Sequence, residues 1–314
     1  MKSEEKKRML VIDANALIHR AFHALPALTT KEGQLVNAVY GFLLVFLKAI
    51  REFKPDYVAA AFDVKAPTFR HEQFKEYKAK RPPAPVELYQ QIPLVKEVLT
   101  AFGVPIYEKE GYEADDLIGT ISRLAPKKQV LPPLEVIIVT GDNDSLQLVN
   151  RFTKAFVLRR GVKDTVLYDE ALVKEKYQGL GPSQLTDFKA LAGDPSDNVP
   201  GVTGIGEKTG LELIKEFGSL ENLYSALEAK NAAADKIKPR IKELLLGQKE
   251  QAFFSKALVE IHQDVPFDFN LEKCRWSVYN KEKVIPFFEK LEFYSLNEKL
   301  PETTCFIKEN QRLL

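Results

Sequence analysis
The chain has 314 residues, 45% of them hydrophobic, enough for about two domains with cores of their own. Its 45 Lys and Arg against 44 Asp and Glu leave a formal net charge of +1, so no global basic field points to nucleic acid and such a partner has to be met by a local patch. The two cysteines, Cys274 and Cys305, lack paired Cys or His spacing, which argues against zinc or a disulfide framework and fits a reducing cytoplasm; the apolar run 9–12 is too short for a signal peptide or a membrane span, so neither export nor a membrane is expected.

Residues 9–12 lead into Asp13 and Asn15, the pattern of a buried strand that delivers an acid at its carboxyl end, the edge that hosts the site in open α/β sheets. Val39, Phe42, Leu43, Phe46, Leu47 and Ile50 carry the spacing of an amphipathic helix over 36–53. A second strand over 57–62 again runs into an acid, Asp63. A single Asp after a strand is ordinarily a turn residue; the repetition gives it weight. Between 65 and 81 lies the local patch: Lys65, Arg70, Lys75, Lys78, Lys80 and Arg81 against Glu72 and Glu76, with Phe69, Phe74 and Tyr77 interleaved. A charge run is as often a solvated face, but interleaved aromatics suit a surface where bases stack and phosphates pair. Lys78 and Arg81, three apart, read as one helix face. Pro82, Pro83 and Pro85 end the patch as a connection.

A helix over 86–102 and a short strand over 104–107 lead to GYEADDLIGT, residues 111–120, on which the rest of the reading turns. In a helix over 113–124, Glu113 and Asp116 stand about one turn apart and Asp115 about 100° from Asp116. Helix starts favour acids, but three of them against apolar Leu117 and Ile118 repel one another and call for a cation or a proton. The segment 126–133 reads as an exposed loop. LEVIIVT over 134–140 is the clearest buried strand, and it runs into Asp142 and Asp144. Strands alternating with helices predict a parallel sheet flanked by helices.

From about 180 strand signals fade and short helical patterns take over, which places a boundary near 179–182. A helix over 183–192 is followed by Asp194 and Asp197, then by GVTGIGEKTG. Gly201, Gly204 and Gly206 before a helix allow close backbone approach and offer N–H groups to a phosphate, with Lys208 and Thr209 beside them. A dinucleotide fold would set such glycines directly after a strand, so a helix–hairpin–helix holding DNA backbone fits better. Further helices follow over 211–260, signals are weak over 265–300, and 301–314 reads as a tail.

These motifs resemble the 5′-nuclease (5′→3′ exonuclease and flap endonuclease) domain at the N-terminus of bacterial DNA polymerase I. The resemblance covers about residues 8–297 through VIDANALIHRAFHALP, AVYGFLL, AAFDVKAPTFRHEQFKEYKAKR, GYEADDLIGT, TGDNDSLQLV, LAGDPSDNVPGVTGIGEKTG and LEFYSL. It implies an α/β, PIN-like or resolvase-like nuclease domain over 1–180 with a helical arch at about 65–90. A helical helix–hairpin–helix (H3TH) DNA-binding domain over 181–300 and a tail over 301–314 would follow. Carried over by position, the family's metal-binding acids fall on Asp13, Asp63, Glu113, Asp115, Asp116, Asp142, Asp144, Asp194 and Asp197. Its basic contacts near the scissile phosphate fall on Arg20, Arg70, Lys78 and Arg81, and its stacking tyrosine on Tyr40. The family normally continues into a proofreading-like domain and a polymerase beyond the point where this sequence stops, Leu314.

The implied chemistry is two-metal phosphodiester hydrolysis at 5′ ends and 5′ flaps that leaves 5′-phosphates and serves primer removal in DNA replication, and DNA repair. Hard oxygen ligands suit two Mg²⁺ ions, with Mn²⁺ as a substitute, about 3.5–4 Å apart. Glu113, Asp115 and Asp116 with Asp63 and Asp13 would serve the first; Asp142, Asp144, Asp194 and Asp197 the second. Nine carboxylates and two such ions leave about −5, which assigns the basic patch the task of admitting DNA. A potassium ion at the 201–210 hairpin, a monomer, and flap, overhang, nick or RNA-primed DNA substrates belong to the same expectation. Two rivals remain: a PIN-type ribonuclease, which would need neither hairpin nor arch, and a non-catalytic junction-binding protein, against which the full acid set speaks.

Overall fold
A computed structural model describes residues 6–128, 132–276, 279 and 281–301. The elements run β1 (Lys7–Asp13), α1 (Ala14–Ala24), α2 (Asn37–Phe53), β2 (Tyr57–Ala61), α3 (Phe69–Gln73), α4 (Val86–Tyr89), α5 (Ile92–Ala101), β3 (Ile106–Tyr107), α6 (Ala114–Lys128) and β4 (Leu134–Thr140). They continue with β5 (Thr153–Leu158), β6 (Thr165–Tyr168), α7 (Glu170–Lys176), α8 (Leu185–Ala192), α9 (Glu207–Phe217), α10 (Leu220–Glu228), α11 (Ala232–Asp235), α12 (Pro239–Gly247), α13 (Lys249–Val259), α14 (Lys281–Lys290) and α15 (Tyr294–Asn297).

The six strands form one sheet in the order β3-β2-β1-β4-β5-β6. All pairs are parallel except β5 with β6, so the sheet is mixed where the strand pattern predicts a parallel one. The reason is length: only residues 159–164 separate β5 from β6, and a parallel return needs a dozen or more. On β1, Leu10 and Ile12 face a core with Phe42 and Phe46 of α2 and Phe288 of α14. Met9 and Val11 face the opposite core, with Leu117 and Ile118 of α6 and with Ile261, Val265 and Phe269. Burial on both faces is why this strand reads as an unbroken apolar run. With β2 on one side and β4 on the other, the strand order switches direction at β1, and the crevice at that carboxyl edge is the ligand position of such sheets.

Several elements differ from the sequence expectation. The helix over 86–102 is broken between α4 and α5, because buried Gln91 turns its Oε1 to accept from Ala38 N (2.8 Å) and Val39 N (3.3 Å), satisfying the first turn of α2. Helix α6 runs on through Pro126 to Lys128, into the segment expected to be loop, whose residues 129–131 lie outside those described. The tail, with Cys305, also lies outside them beyond Pro301. Over 65–81 only α3 is helical; Lys78 has φ +56° and sits with Arg81 in a series of turns, so the two do not share a helix face.

Helices α8 and α9 flank the glycine hairpin. A Cβ on Gly201 would stand 2.3 Å from Gly193 N, and both residues have positive φ, so the two backbones meet where only glycine fits. Helix α13 packs along α8. The chain then returns to the sheet, and residues 261–271 and 284–296 complete its two cores. Among the described residues no helix is long and apolar enough to cross a membrane.

Candidate active site
The ends of β1, β2 and β4 and the start of α6 open into one cleft of about 390 Å³, lined by Asp13, Asp63, Glu113, Asp115, Asp142, Asp144 and Asp197 and by the bases Arg20, Lys78 and Arg81. Asp13 caps α1: its Oδ1 accepts from Ala16 N (3.1 Å) and its Oδ2 from Thr140 Oγ1 (2.6 Å). Asp63 accepts from Ala114 N (2.7 Å), which ties the end of β2 to the start of α6. Asp142 accepts from Asp144 N (3.0 Å) in the turn after β4. Arg20 donates to Gly141 O at 2.9 Å.

Burial and neighbouring charge leave four of the acids, Asp13, Asp63, Asp115 and Asp144, reluctant to ionise. Burial, reinforced by Asp63 and Asp142, raises Asp13 to about 7. Burial and then Asp142 raise Asp144 to about 6, against the pull of Lys189. Asp115 is pushed well above the ordinary range by burial and by Asp13, Asp142 and Glu113; Asp63 is raised by burial. Asp115 Oδ1 is buried with no hydrogen-bond partner. An orphaned carboxylate oxygen among hard oxygen donors fits a divalent cation such as Mg²⁺ or Mn²⁺.

Among the described residues no group of three or more acidic, His or Cys side chains converges closely enough to enclose an ion as placed. Their oxygens are drawn instead to bases. Lys78 Nζ lies 2.6 Å from Glu113 Oε1, Arg81 binds Asp197, and Lys189 bridges Asp144 and Asp194 (2.6 Å to the latter). Burial alone would discharge Lys78, but Glu113 and Asp197 outweigh it and raise its pKa. Lys189 is likewise raised against burial by Asp144 and Asp194. Asp194 is held low by Lys189 although burial opposes this.

The other expected residues lie elsewhere. Asp116 is fully buried and pairs with Arg70, itself 2% exposed; both turn away from the cleft. Asp194 sits behind Lys189. Tyr40 packs edge-to-face on Phe293 with its hydroxyl 3.2 Å from Ser295 Oγ. Gly201 is buried and gives its N–H to Ser255 Oγ (3.1 Å), so it shapes the hairpin without offering a donor, whereas Gly204, Gly206 and Lys208 are exposed and Thr209 half-buried. The aromatics of the basic patch do not form a stacking surface: Phe74 packs on Phe254, and Tyr77 is buried with its hydroxyl shared by Glu113 (3.2 Å) and Asp197 (3.1 Å).

Sequence reasoning missed Lys189, which bridges Asp144 and Asp194, and also His19 and His23, a pair that lines the cleft beside Arg20. Their rings stand 6.5 Å apart, and burial, His23 and Arg81 lower the pKa of His19. Reading α1 as a helix would have found them, since 16, 19, 20 and 23 fall on one face.

Two family profiles match the chain: "5′-3′ exonuclease, N-terminal resolvase-like domain" over residues 8–178 and "5′-3′ exonuclease, C-terminal SAM fold" over 180–282. DNA polymerase I of Bacillus subtilis is 40% identical over 309 residues, 98% of this chain and 34% of that protein. The enzyme of Caldicellulosiruptor bescii is 43% identical over 93% of this chain and 33% of its own length, and the thermostable enzyme of Thermus thermophilus 42% over the same shares. The chain thus spans about a third of these relatives. In fold it is similar to the T5 5′-exonuclease with bound zinc, at TM-score 0.64 and 20% identity over 91% of this chain and 99% of that one. It is also similar to the catalytic core of Rad2 in complex with DNA substrate, at TM-score 0.57 and 18% identity over 95% and 94%.

Proposed function
Because this chain belongs to the 5′–3′ exonuclease family represented in DNA polymerase I and is a nuclease, we propose that it is a structure-specific 5′ nuclease hydrolysing DNA at 5′ ends and flaps. The observation that carries this reading is the cleft itself, a floor of carboxylates that includes a buried, orphaned oxygen on Asp115, walled by Lys78, Arg81 and Arg20.

In this reading Asp13, Asp63, Glu113 and Asp115 hold one divalent ion and Asp142, Asp144 and Asp197 a second, which Asp194 joins when Lys189, now bridging it to Asp144, gives way. Two such ions, Mg²⁺ or Mn²⁺, supply Lewis-acid polarisation of the phosphoryl group and a more acidic attacking water. Asp116 is left out because it is fully buried away from the cleft lining, its oxygens held by the bidentate Arg70 pair and the N–H groups of Glu113 and His262. Lys78 and Arg81 keep their charge beside the acids and present donors to the scissile phosphate, offsetting charge that develops on its oxygens. Arg20, which also lines the cleft, orients the same group. Backbone N–H groups at Gly204 and Gly206, with Lys208 and Thr209, hold the duplex by its phosphates without reading bases; carbonyls there can take a potassium ion. The products carry 5′-phosphates, and the substrates are nicked, overhung or flapped DNA and RNA-primed DNA, as replication and repair present them to a monomer in the cytoplasm.

The test offers 5′-flap DNA, single-stranded RNA and blunt duplex, each with Mg²⁺ and with chelator. Metal-dependent cleavage of the flap alone is expected. Cleavage of the RNA alone would favour a ribonuclease, and binding of the flap without cleavage a junction-binding protein.

A further inference from the structure
Helix α13 passes back to the sheet through residues 258–262, and that crossing is held by side chains the cleft does not use. Every N–H of the Arg70 guanidinium has an acceptor. Nε donates to Leu258 O (2.9 Å), one terminal nitrogen to Asp116 Oδ2 (2.8 Å) and Glu113 Oε2 (3.3 Å), the other to Asp116 Oδ1 (2.8 Å) and Glu260 O (2.6 Å). Asp116 accepts in addition from Glu113 N (3.0 Å) and His262 N (2.9 Å). Gln147 donates to Val259 O (3.1 Å) and accepts from Ile261 N (2.9 Å). Helix α6 comes so close to the crossing that a Cβ on Gly119 would lie 2.8 Å from His262 O.

The other end of α13 carries the hairpin. Gly201 N donates to Ser255 Oγ (3.1 Å), and Gln248 brackets Thr203, accepting from its N–H (2.8 Å) and donating to its carbonyl (3.1 Å). A continuous run of packed and hydrogen-bonded groups therefore leads from the hairpin along α13 to Arg70 and Asp116, and on to Glu113 and Asp115. A separate tie joins the near side of the hairpin to the basic turns, through Lys78 N to Asp197 O (2.9 Å) and Asn198 Nδ2 to Glu76 O (2.8 Å).

We propose that Arg70 and Asp116 are positioning residues: their buried pair fixes the distance from the duplex-holding hairpin to the acid cleft and so sets the linkage at which a 5′ flap is cut. This rests on the nuclease reading of the cleft. One nucleotide step advances a duplex strand by about 3.4 Å, so slack of that size between grip and cleft moves the cut by one linkage. A bidentate Arg–carboxylate pair resists such slack because both its angle and its length are fixed.

The test compares the unmodified chain with Arg70→Lys, Asp116→Asn, the double variant, and Asp115→Asn as the reference for loss of an ion ligand. Product lengths on a 3′-labelled 5′-flap duplex are read under single-turnover conditions, and Mn²⁺ affinity by electron paramagnetic resonance. The unmodified chain should give one dominant product. Arg70→Lys and Asp116→Asn should spread the cut over neighbouring linkages while keeping Mn²⁺ affinity within about twofold, and the double variant should be no more spread than the worse single one, as for two members of one contact. Gln147→Leu, which loosens the same crossing without touching either charge, should spread the cut more mildly, and it keeps the proposal testable if the charged variants do not fold. Cuts confined to the original linkage in the folded variants would overturn the proposal, as would a loss of Mn²⁺ affinity in Asp116→Asn matching that of Asp115→Asn. Failure of the unmodified chain to cut the flap would overturn the nuclease reading instead.

Discussion

The crowding of acids makes stability depend on pH in an unusual direction. Asp13 has an ordinary value of 3.8 that burial raises to about 7, and Asp144 is raised to about 6. For an acid whose folded value exceeds its unfolded one, the favourable contribution is complete below 3.8 and is lost as pH rises through the folded value. Between pH 5.5 and 7.5 the loss comes to about 2 kcal/mol for Asp13 and about 1 kcal/mol for Asp144; Asp115 acts in the same direction. His19, whose pKa is lowered by burial first, opposes them over the same range. At about 2 °C per kcal/mol for a chain of this size, melting in chelator should be about 6 °C higher at pH 5.5 than at pH 7.5. Mg²⁺ should close the gap, adding more at pH 7.5, because it favours the ionised acids. Asp13→Asn keeps the cap on α1 and should remove most of the Asp13 share. Scanning fluorimetry at the two pH values, with and without Mg²⁺, measures this. A melting temperature in chelator that rises from pH 5.5 to 7.5, or one indifferent to Mg²⁺ at both, would refute the reasoning.

Asp115→Asn should lower single-turnover cleavage by orders of magnitude, yet raise the melting temperature in chelator at pH 7.5, since it removes a buried charge that lacks a partner; a fall in melting temperature would mean the acid serves the fold. Lys78→Ala and Arg81→Ala should each slow saturated flap cleavage by about 10²–10³, with the salt slope of binding falling by only about one unit. Lys208→Ala should do the reverse, weakening duplex binding while leaving the saturated single-turnover rate intact, and titrations at several salt concentrations separate the two classes. Gly201→Ala drives a Cβ to 2.3 Å from Gly193 N at φ +63°, so denaturant unfolding should show a loss of about 3 kcal/mol or more.

The parts of the fold that the sequence makes legible are those whose cause is local. Strands β1, β2 and β4 are buried on both faces and read as unbroken apolar runs, and the acids that follow each of them are the cleft floor. Strands β5 and β6 went unread because Lys154 and the short Thr165–Tyr168 segment dilute the apolar run. Helix α1 escaped because His19, Arg20 and His23 interrupt its buried stripe of Leu17, Ile18 and Ala21. The basic patch was conspicuous by charge, but the direction of its aromatics was not. Phe74 and Tyr77 turn inward onto Phe254 and Leu258, far along the chain, and no local periodicity announces such a partner. Adjacent Asp115 and Asp116 are alike in sequence and opposite in structure for the same reason, since what separates them is Arg70 and the N–H of His262, 146 residues away.

Donors are distributed unevenly over the cleft's acids, and the unevenness bears on what completes the site. Asp13 has Thr140 and Ala16, Asp63 has Ala114, Glu113 has Lys78 and Tyr77, Asp144 has Lys189, and Asp197 has Arg81 and Tyr77. Asp115 keeps one buried oxygen with none, although it stands among Asp13, Asp142 and Glu113. A buried carboxylate in that position costs several kcal/mol unless it takes up a proton or a cation. A proton neutralises one oxygen and leaves the repulsion among the remaining acids in place. A divalent ion offsets several carboxylates at once and draws no hydrogen-bond geometry from the backbone, so Asp13, Asp63, Asp115 and Asp144, which resist ionisation, become favourable together. Clustering them is therefore costly for the fold in isolation and useful only to a protein that binds hard cations, which is why the orphaned oxygen of Asp115 bears more directly on the chemistry than the total of acids around it.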